Sequence, residues 1–143
     1  MVNAFKVSEA ASLALHSMAF LAEQRDGLVS THEMASALRV SEAHLSKVLQ
    51  RLARAGLVKS TRGPKGGFTL GRPRRKITLL EVYETVEGPL AVSDCLLGSR
   101  VCTGERCIFG GLLRTVGSQV KNYLAQTRLP ELGYIGRRKH AGA

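Results

Sequence analysis

Two helix-start signals, Ser30-Thr31-His32-Glu33 and Ser41-Glu42-Ala43-His44, leave room between them for only one short helix and a tight turn. In the first, Ser30 is the N-cap and Glu33 the third helical residue, the pattern in which each side chain satisfies the other's backbone amide. Val29 and Met34 flank it as a hydrophobic staple, and the helix is predicted to end near Leu38. After Arg39-Val40, Ser41 caps a second helix, with Val40 placed to staple onto Leu45. Leu45, Val48, Leu49 and Leu52 fall on one face of it, the spacing of a buried helical stripe. Ala43, His44, Ser46, Lys47, Gln50, Arg51 and Arg54 are left outside, and Gly56 suits the C-terminal stop.

A capped helix, a short turn and a second helix with a polar, basic outer face form the helix-turn-helix arrangement that enters a DNA major groove. Leu57 to Arg62 then has extended character, 63–67 (Gly-Pro-Lys-Gly-Gly) makes a turn, and Phe68 to Leu70 returns, giving a two-stranded wing. Glycines permit positive φ and close approach to a sugar-phosphate edge, while Arg62 and Lys65 supply charge suited to a minor groove. Charge supports this reading. The chain carries 21 Lys and Arg against 11 Asp and Glu, a net +10, and a surplus of that size predicts a polyanionic partner. Between Glu42 and Glu81 ten bases occur and no acid. Solubility alone does not require such a run, so double-stranded DNA is the expected partner.

Around this unit, Val7, Ala11, Ala14, Leu15, Met18 and Leu21 predict an amphipathic first helix ending near 25–27. Thr78-Leu79-Leu80-Glu81 is another capping box, opening a helix through about Val86 that Gly88-Pro89 stops. Residues 90–106 read as loop. From Cys107 a long helix is predicted, with Ile108, Leu112, Val116, Val120, Tyr123 and Leu124 along one stripe. So long a stripe exceeds what a small domain can cover, which predicts a two-fold dimer through it; packing onto the chain's own first helix is the alternative for part of the stripe. The expected organisation is mainly α: a winged helix-turn-helix DNA-binding domain over 1–88, a cysteine-bearing sensor loop over 89–107, a dimerisation helix over 108–132, and a basic disordered tail over 133–143. The charge-free stretch Ala10–Ala22 is too short to span a bilayer, which needs ~20 residues. Glu9 and His16 interrupt any signal-like segment, so the expected location is the cytoplasm.

All three cysteines, Cys95, Cys102 and Cys107, fall in one short stretch with the spacing C-x6-C-x4-C. An odd number of clustered thiols in a cytoplasmic chain argues for metal or redox chemistry over a disulfide framework. Thiolates are soft donors suited to iron-sulfur clusters or zinc, and direct thiol oxidation stands beside these.

The chain resembles the IscR/NsrR family of bacterial winged-helix regulators, the Rrf-two type. The resemblance lies in Leu13-Ala14-Leu15 with Met18 through Ala22, in Ser41 through Leu45 with Lys47 through Leu52, in Gly56-Leu57-Val58, and in the wing Arg62-Gly63-Pro64-Lys65-Gly66-Gly67-Phe68. It implies a homodimer on a palindromic operator. The residues implied to contact DNA are Ser41, Ala43, His44, Ser46, Lys47, Gln50 and Arg51 on the recognition helix, and Arg62, Gly63, Pro64, Lys65, Gly66 and Gly67 on the wing. Where the family's cluster regulator has a base-selecting glutamate, this chain has Ser46, so a shared operator is not implied. Lys47 and Arg51 suit either guanine O6 and N7 or phosphates.

The resemblance also implies an iron-sulfur cluster, 2Fe-2S or 4Fe-4S, at Cys95, Cys102 and Cys107. Family members add a fourth ligand from a histidine three residues past the third cysteine or from a carboxylate near the partner subunit's N-terminus. Here those positions are Gly110 and Ser12. Glu9, one helical turn before Ser12, is the substitute candidate, ahead of His16, Asp94 and Glu105; a solvated first-turn acid is its alternative role. The expected function is a cluster- or redox-controlled transcription regulator, a repressor by the family's commoner mode. A thiol-based enzyme fits poorly, because no histidine lies within thirty residues of a cysteine to act as base. A cluster carrier would leave the basic wing without purpose.

Overall fold

The computed structural model describes residues 7–24, 27–97, 101–102 and 107–129. The predicted tail, 133–143, lies outside them. In chain order the elements are α1 (Glu9–Glu23), α2 (Thr31–Leu38), α3 (Glu42–Arg54), strands β1 (Val58–Thr61) and β2 (Gly67–Leu70), a 3-10 turn (Arg74–Lys76), α4 (Leu79–Glu87) and α5 (Leu112–Gln126). Both predicted capping boxes form: Ser30 and Glu33 close the start of α2, Thr78 and Glu81 the start of α4. The Ser41 side chain caps α3 through the His44 amide, and that of Ser8 caps α1 through the Ala11 amide at 3.0 Å.

These helices enclose one core in which Met18, Met34, Leu45, Leu49, Leu52, Ile77 and Val82 are fully buried. α1 lies at its centre, packed on α3 and α4, while α5 packs on α4. All four predicted apolar positions of α3 are buried. The turn between α2 and α3 passes through Arg39 in the left-handed region, φ 56°, where its amide and that of Val40 satisfy the last carbonyls of α2.

β1 and β2 pair antiparallel, Val58 opposite Leu70 and Thr61 opposite Gly67. The hairpin is also tied to the start of α2: the amide of Val29 donates to the Phe68 carbonyl at 3.0 Å and the amide of Phe68 to that of Val29 at 2.8 Å. This bridge gives the glycines a role the sequence did not suggest. A Cβ on Gly67 would lie 2.6 Å from the Val29 carbonyl oxygen, and one on Gly66 would run into the carbonyls of Thr61 and Gly63. Of the three wing glycines only Gly63, at φ 113° with open space around it, serves a positive-φ turn.

The C-terminal helix differs from expectation at both ends. Residues 107–111 form turns, with Gly110 left-handed at φ 57°, and helix begins only at Leu112. Two consecutive glycines weaken helix where its first turn would have been. At the other end α5 stops at Gln126, and Thr127 to Leu129 run back along the start of α4. The Leu79 amide donates to the Thr127 carbonyl at 3.0 Å and the Leu129 amide to that of Ile77 at 3.3 Å, burying Leu129. The stripe also divides. Leu113, Gly117 and Leu124 are buried against the domain and Val116 and Val120 partly so, whereas Leu112 and Tyr123 stay exposed and Ile108, outside the helix, is 93% exposed.

Candidate nucleic-acid interface and cysteine segment

With Leu45, Val48, Leu49 and Leu52 inward, helical geometry turns Ala43, Lys47, Gln50 and Arg54 to the opposite side, and all four are exposed. Ser46 is half-buried at the edge. Other residues of α3, the candidate readers His44 and Arg51 among them, are held by the protein itself. Glu42 pairs with His32 of α2 at 2.5 Å, and His44 with Glu9 of α1 at 3.5 Å. The Arg51 guanidinium donates to the Val86 carbonyl in the last turn of α4 at 2.8 Å. Lys47 has no hydrogen-bond or ion-pair partner among the described residues.

β1 packs directly on α3, which fixes the wing relative to the recognition helix. At its tip Arg62, Gly63, Pro64 and Lys65 are exposed, with Gly66 and Gly67 half-buried below them. The connector beyond is less free than its charge suggests: Arg72 pairs with Glu81 at 3.2 Å and Arg74 donates to the Ala22 carbonyl at 3.3 Å. Of the ten bases in the acid-free run, then, Arg51, Arg72 and Arg74 are spent on internal bonds. The pairings of Arg51 and Arg74 have no short-range sequence signal, since each joins residues of separate elements far apart in the chain.

The cysteine segment leaves α4 at Gly88, where the Leu90 amide donates to the Glu84 carboxylate at 3.1 Å. Val92 then rests on α5 at Gly117, where an added Cβ would come within 3.2 Å of the valine methyl. Ser93 brackets Cys95, accepting from its amide at 3.2 Å and donating to its carbonyl at 2.8 Å. All three thiols are free; Cys95 is half-buried and Cys102 and Cys107 are exposed. Their soft donor set suits an iron-sulfur cluster. Among the described residues, however, no three Cys, His, Asp or Glu are gathered around one metal position. Glu9 faces His44 beside Lys47 and Val48 of α3, and His16 bonds to the Ser12 carbonyl at 2.7 Å. Asp94 is exposed beside Cys95, and Glu105 lies outside the described residues. In the middle of α4, burial and the charge of Glu87 raise the Tyr83 phenol above its usual 10.0, keeping it neutral.

A helix-turn-helix with a basic hairpin directly after it is found here in a chain of which residues 7–133 match the family described as Rrf2, iron-dependent transcriptional regulator. The chain belongs to the Rrf2 family. Among its relatives, the HTH-type transcriptional regulator IscR of Xenorhabdus nematophila is 30% identical over 129 residues, covering 90% of this chain and 74% of the relative. The solved structure of CymR, the global cysteine regulator of B. subtilis, superposes with a TM-score of 0.74 at 30% identity, over 88% of this chain and 94% of that one. The oxidized form of Staphylococcus aureus CymR gives 0.70 at 25% identity, over 87% and 93%. The two CymR structures thus share the fold of this chain over most of its length.

Proposed function

We propose that this Rrf2 regulator is a cytoplasmic homodimer that binds a palindromic operator, acts as a repressor, and is controlled at Cys95, Cys102 and Cys107. The observation that carries the proposal is the joint presentation of an exposed outer face on α3 and a basic tip at Arg62–Lys65, with three free thiols on the segment between α4 and α5. Dimerisation through the exposed side of α5, where Leu112 and Tyr123 remain uncovered, supplies the second reading head.

The residues that would hold an iron-sulfur cluster are Cys95, Cys102 and Cys107. Such a group, when bound, supplies iron-sulfur bonds that oxidants and nitric oxide break. Glu9 is the candidate fourth ligand, given by the partner subunit; its contact with His44 of α3 would then be exchanged for the cluster. Movement of the cysteine segment would be felt at the end of α4 and at α5, and hence in the relative setting of the two heads.

Exposure of Cys102 and Cys107 favours a second reading, direct thiol oxidation, and a relative of this fold has been solved in an oxidized form. Anaerobic purification with ultraviolet-visible and Mössbauer spectra, then footprinting with and without the cluster, separates the two. A cluster sensor shows iron-sulfur absorption and a change of operator affinity on cluster loss. A thiol sensor shows neither, but changes affinity on mild oxidation of the iron-free dimer. Equal affinity in every state would refute control at the cysteines.

A further inference from the structure

We infer that Lys47 reads a guanine in each operator half-site, that Ala43 packs on a thymine methyl beside it, and that Arg51 positions the recognition helix without contacting a base. The inference deepens the proposed function and rests on its DNA-binding part.

Residues in the first turns of a recognition helix are the ones that reach base edges, and on α3 the structure removes most of them from that role. The Ser41 hydroxyl caps the helix, Glu42 is paired with His32, and His44 lies on the side of α3 that faces α1, beside Ala10 and Leu13, whether or not Glu9 is paired with it. Ser46 is short and half-buried. Arg51, whose planar fork would otherwise make it the natural guanine reader, is turned toward α4 and donates to the Val86 carbonyl at 2.8 Å. Gln50 and Arg54 point outward but lie three and seven residues beyond Lys47, where a helix entering by its N-terminal end rises from the groove floor.

Ala43 and Lys47 remain, both exposed and one above the other on the outward face. An ammonium with three donors matches the paired acceptors N7 and O6 that guanine presents in the major groove, and a bare methyl matches the thymine C5-methyl. Four residues of helix rise about 6 Å, a little under two base steps. Guanine and thymine are therefore expected within about two positions of each other.

Selection of binding sites from a randomised duplex library by the full-length dimer tests this. The wild type is expected to return half-sites with a guanine and a thymine so spaced. Lys47→Ala, an exposed substitution, should lose the preference at that guanine, with affinity for the selected site falling about tenfold to a hundredfold and little changed when the guanine is already replaced. Deoxyuridine in place of the thymine removes only the methyl and should weaken binding about fourfold, as burial of one methylene-sized group implies. Arg51→Met should keep the selected sequence and its salt dependence. A Lys47→Ala loss spread evenly over all sequences makes Lys47 a phosphate contact and overturns the proposal, as does an Arg51→Met protein that loses the guanine preference. If the wild type selects no sequence while its fold is intact, the DNA-binding reading itself fails, a result distinct from a wild-type consensus that Lys47→Ala leaves unchanged.

Discussion

Arg51 and Val86 join the recognition helix to the end of α4 through one hydrogen bond of 2.8 Å, two residues before Gly88 opens the cysteine segment. The acceptor is one of the last four carbonyls of α4, which no amide within the helix can satisfy, and a guanidinium there also complements the helix dipole. Replacing Arg51 with methionine keeps the stem and removes the donor. A loss of about 1 kcal/mol in urea unfolding is expected, the usual net worth of such a bond. The same variant should show a smaller change of operator affinity on cysteine modification than the wild type. An unchanged response would mean that the signal reaches DNA by another route, such as α5.

Gly67→Ala should separate the wing from α2. The added Cβ would meet the Val29 carbonyl oxygen at 2.6 Å, and neither backbone can yield without stretching the Val29–Phe68 bridge. A destabilisation of about 1–3 kcal/mol is expected, with faster hydrogen exchange at the amides of Val29 and Phe68. Full protection of both amides would show that the bridge tolerates a side chain at 67.

What the sequence revealed followed the range of the interaction. The caps at Ser30, Ser41 and Thr78, the four-residue apolar face of α3 and the hairpin after Gly56 are each written within a dozen residues, and each formed as read. The late start of α5 was also legible in Gly110-Gly111, though the apolar spacing through Ile108 concealed it. Its early end was not, because the return of Thr127–Leu129 to Ile77–Leu79 depends on a pairing across fifty residues. For the same reason the acid-free run looked like one basic surface until Arg51 and Arg74 were found bonded to Val86 and Ala22. The cysteines were legible as three clustered thiols, while the contacts that hold their segment, Val92 on Gly117 and Ser93 on Cys95, were not.

Arg39 holds a left-handed conformation, φ 56°, on an exposed turn. An L-residue there costs roughly 1–2 kcal/mol relative to right-handed backbone, and glycine escapes the penalty. Arg39→Gly should therefore be neutral or stabilising by up to ~1 kcal/mol, after the added flexibility of its unfolded chain is subtracted. Arg39→Val, branched at Cβ, should lower the urea midpoint. The opposite order would contradict the turn geometry between α2 and α3.

Arg62 stands exposed at the base of the hairpin tip with no partner among the described residues. If the wing enters a minor groove, Arg62→Ala should weaken operator binding by ~1–3 kcal/mol and reduce the slope of log affinity against log salt by about 1. Stability should stay within ~0.5 kcal/mol, since no packing is lost. Wild-type affinity and slope in the variant would remove the wing from DNA recognition.

Cys102 is exposed, and its thiol is free. Serine in its place keeps the size but substitutes a hard, protonated oxygen for a soft thiolate, a poor exchange for iron-sulfur ligation. Cys102→Ser should therefore lose its iron and sulfide after anaerobic reconstitution, while its iron-free form unfolds at the same urea concentration as the iron-free wild type. The two measurements belong together, because iron loss with a lowered midpoint would point to a damaged fold instead of a missing ligand. A variant that folds normally and still retains full iron would take Cys102 out of the ligand set. In the thiol-oxidation reading the same variant binds no less iron than the wild type, and only its response to oxidants changes.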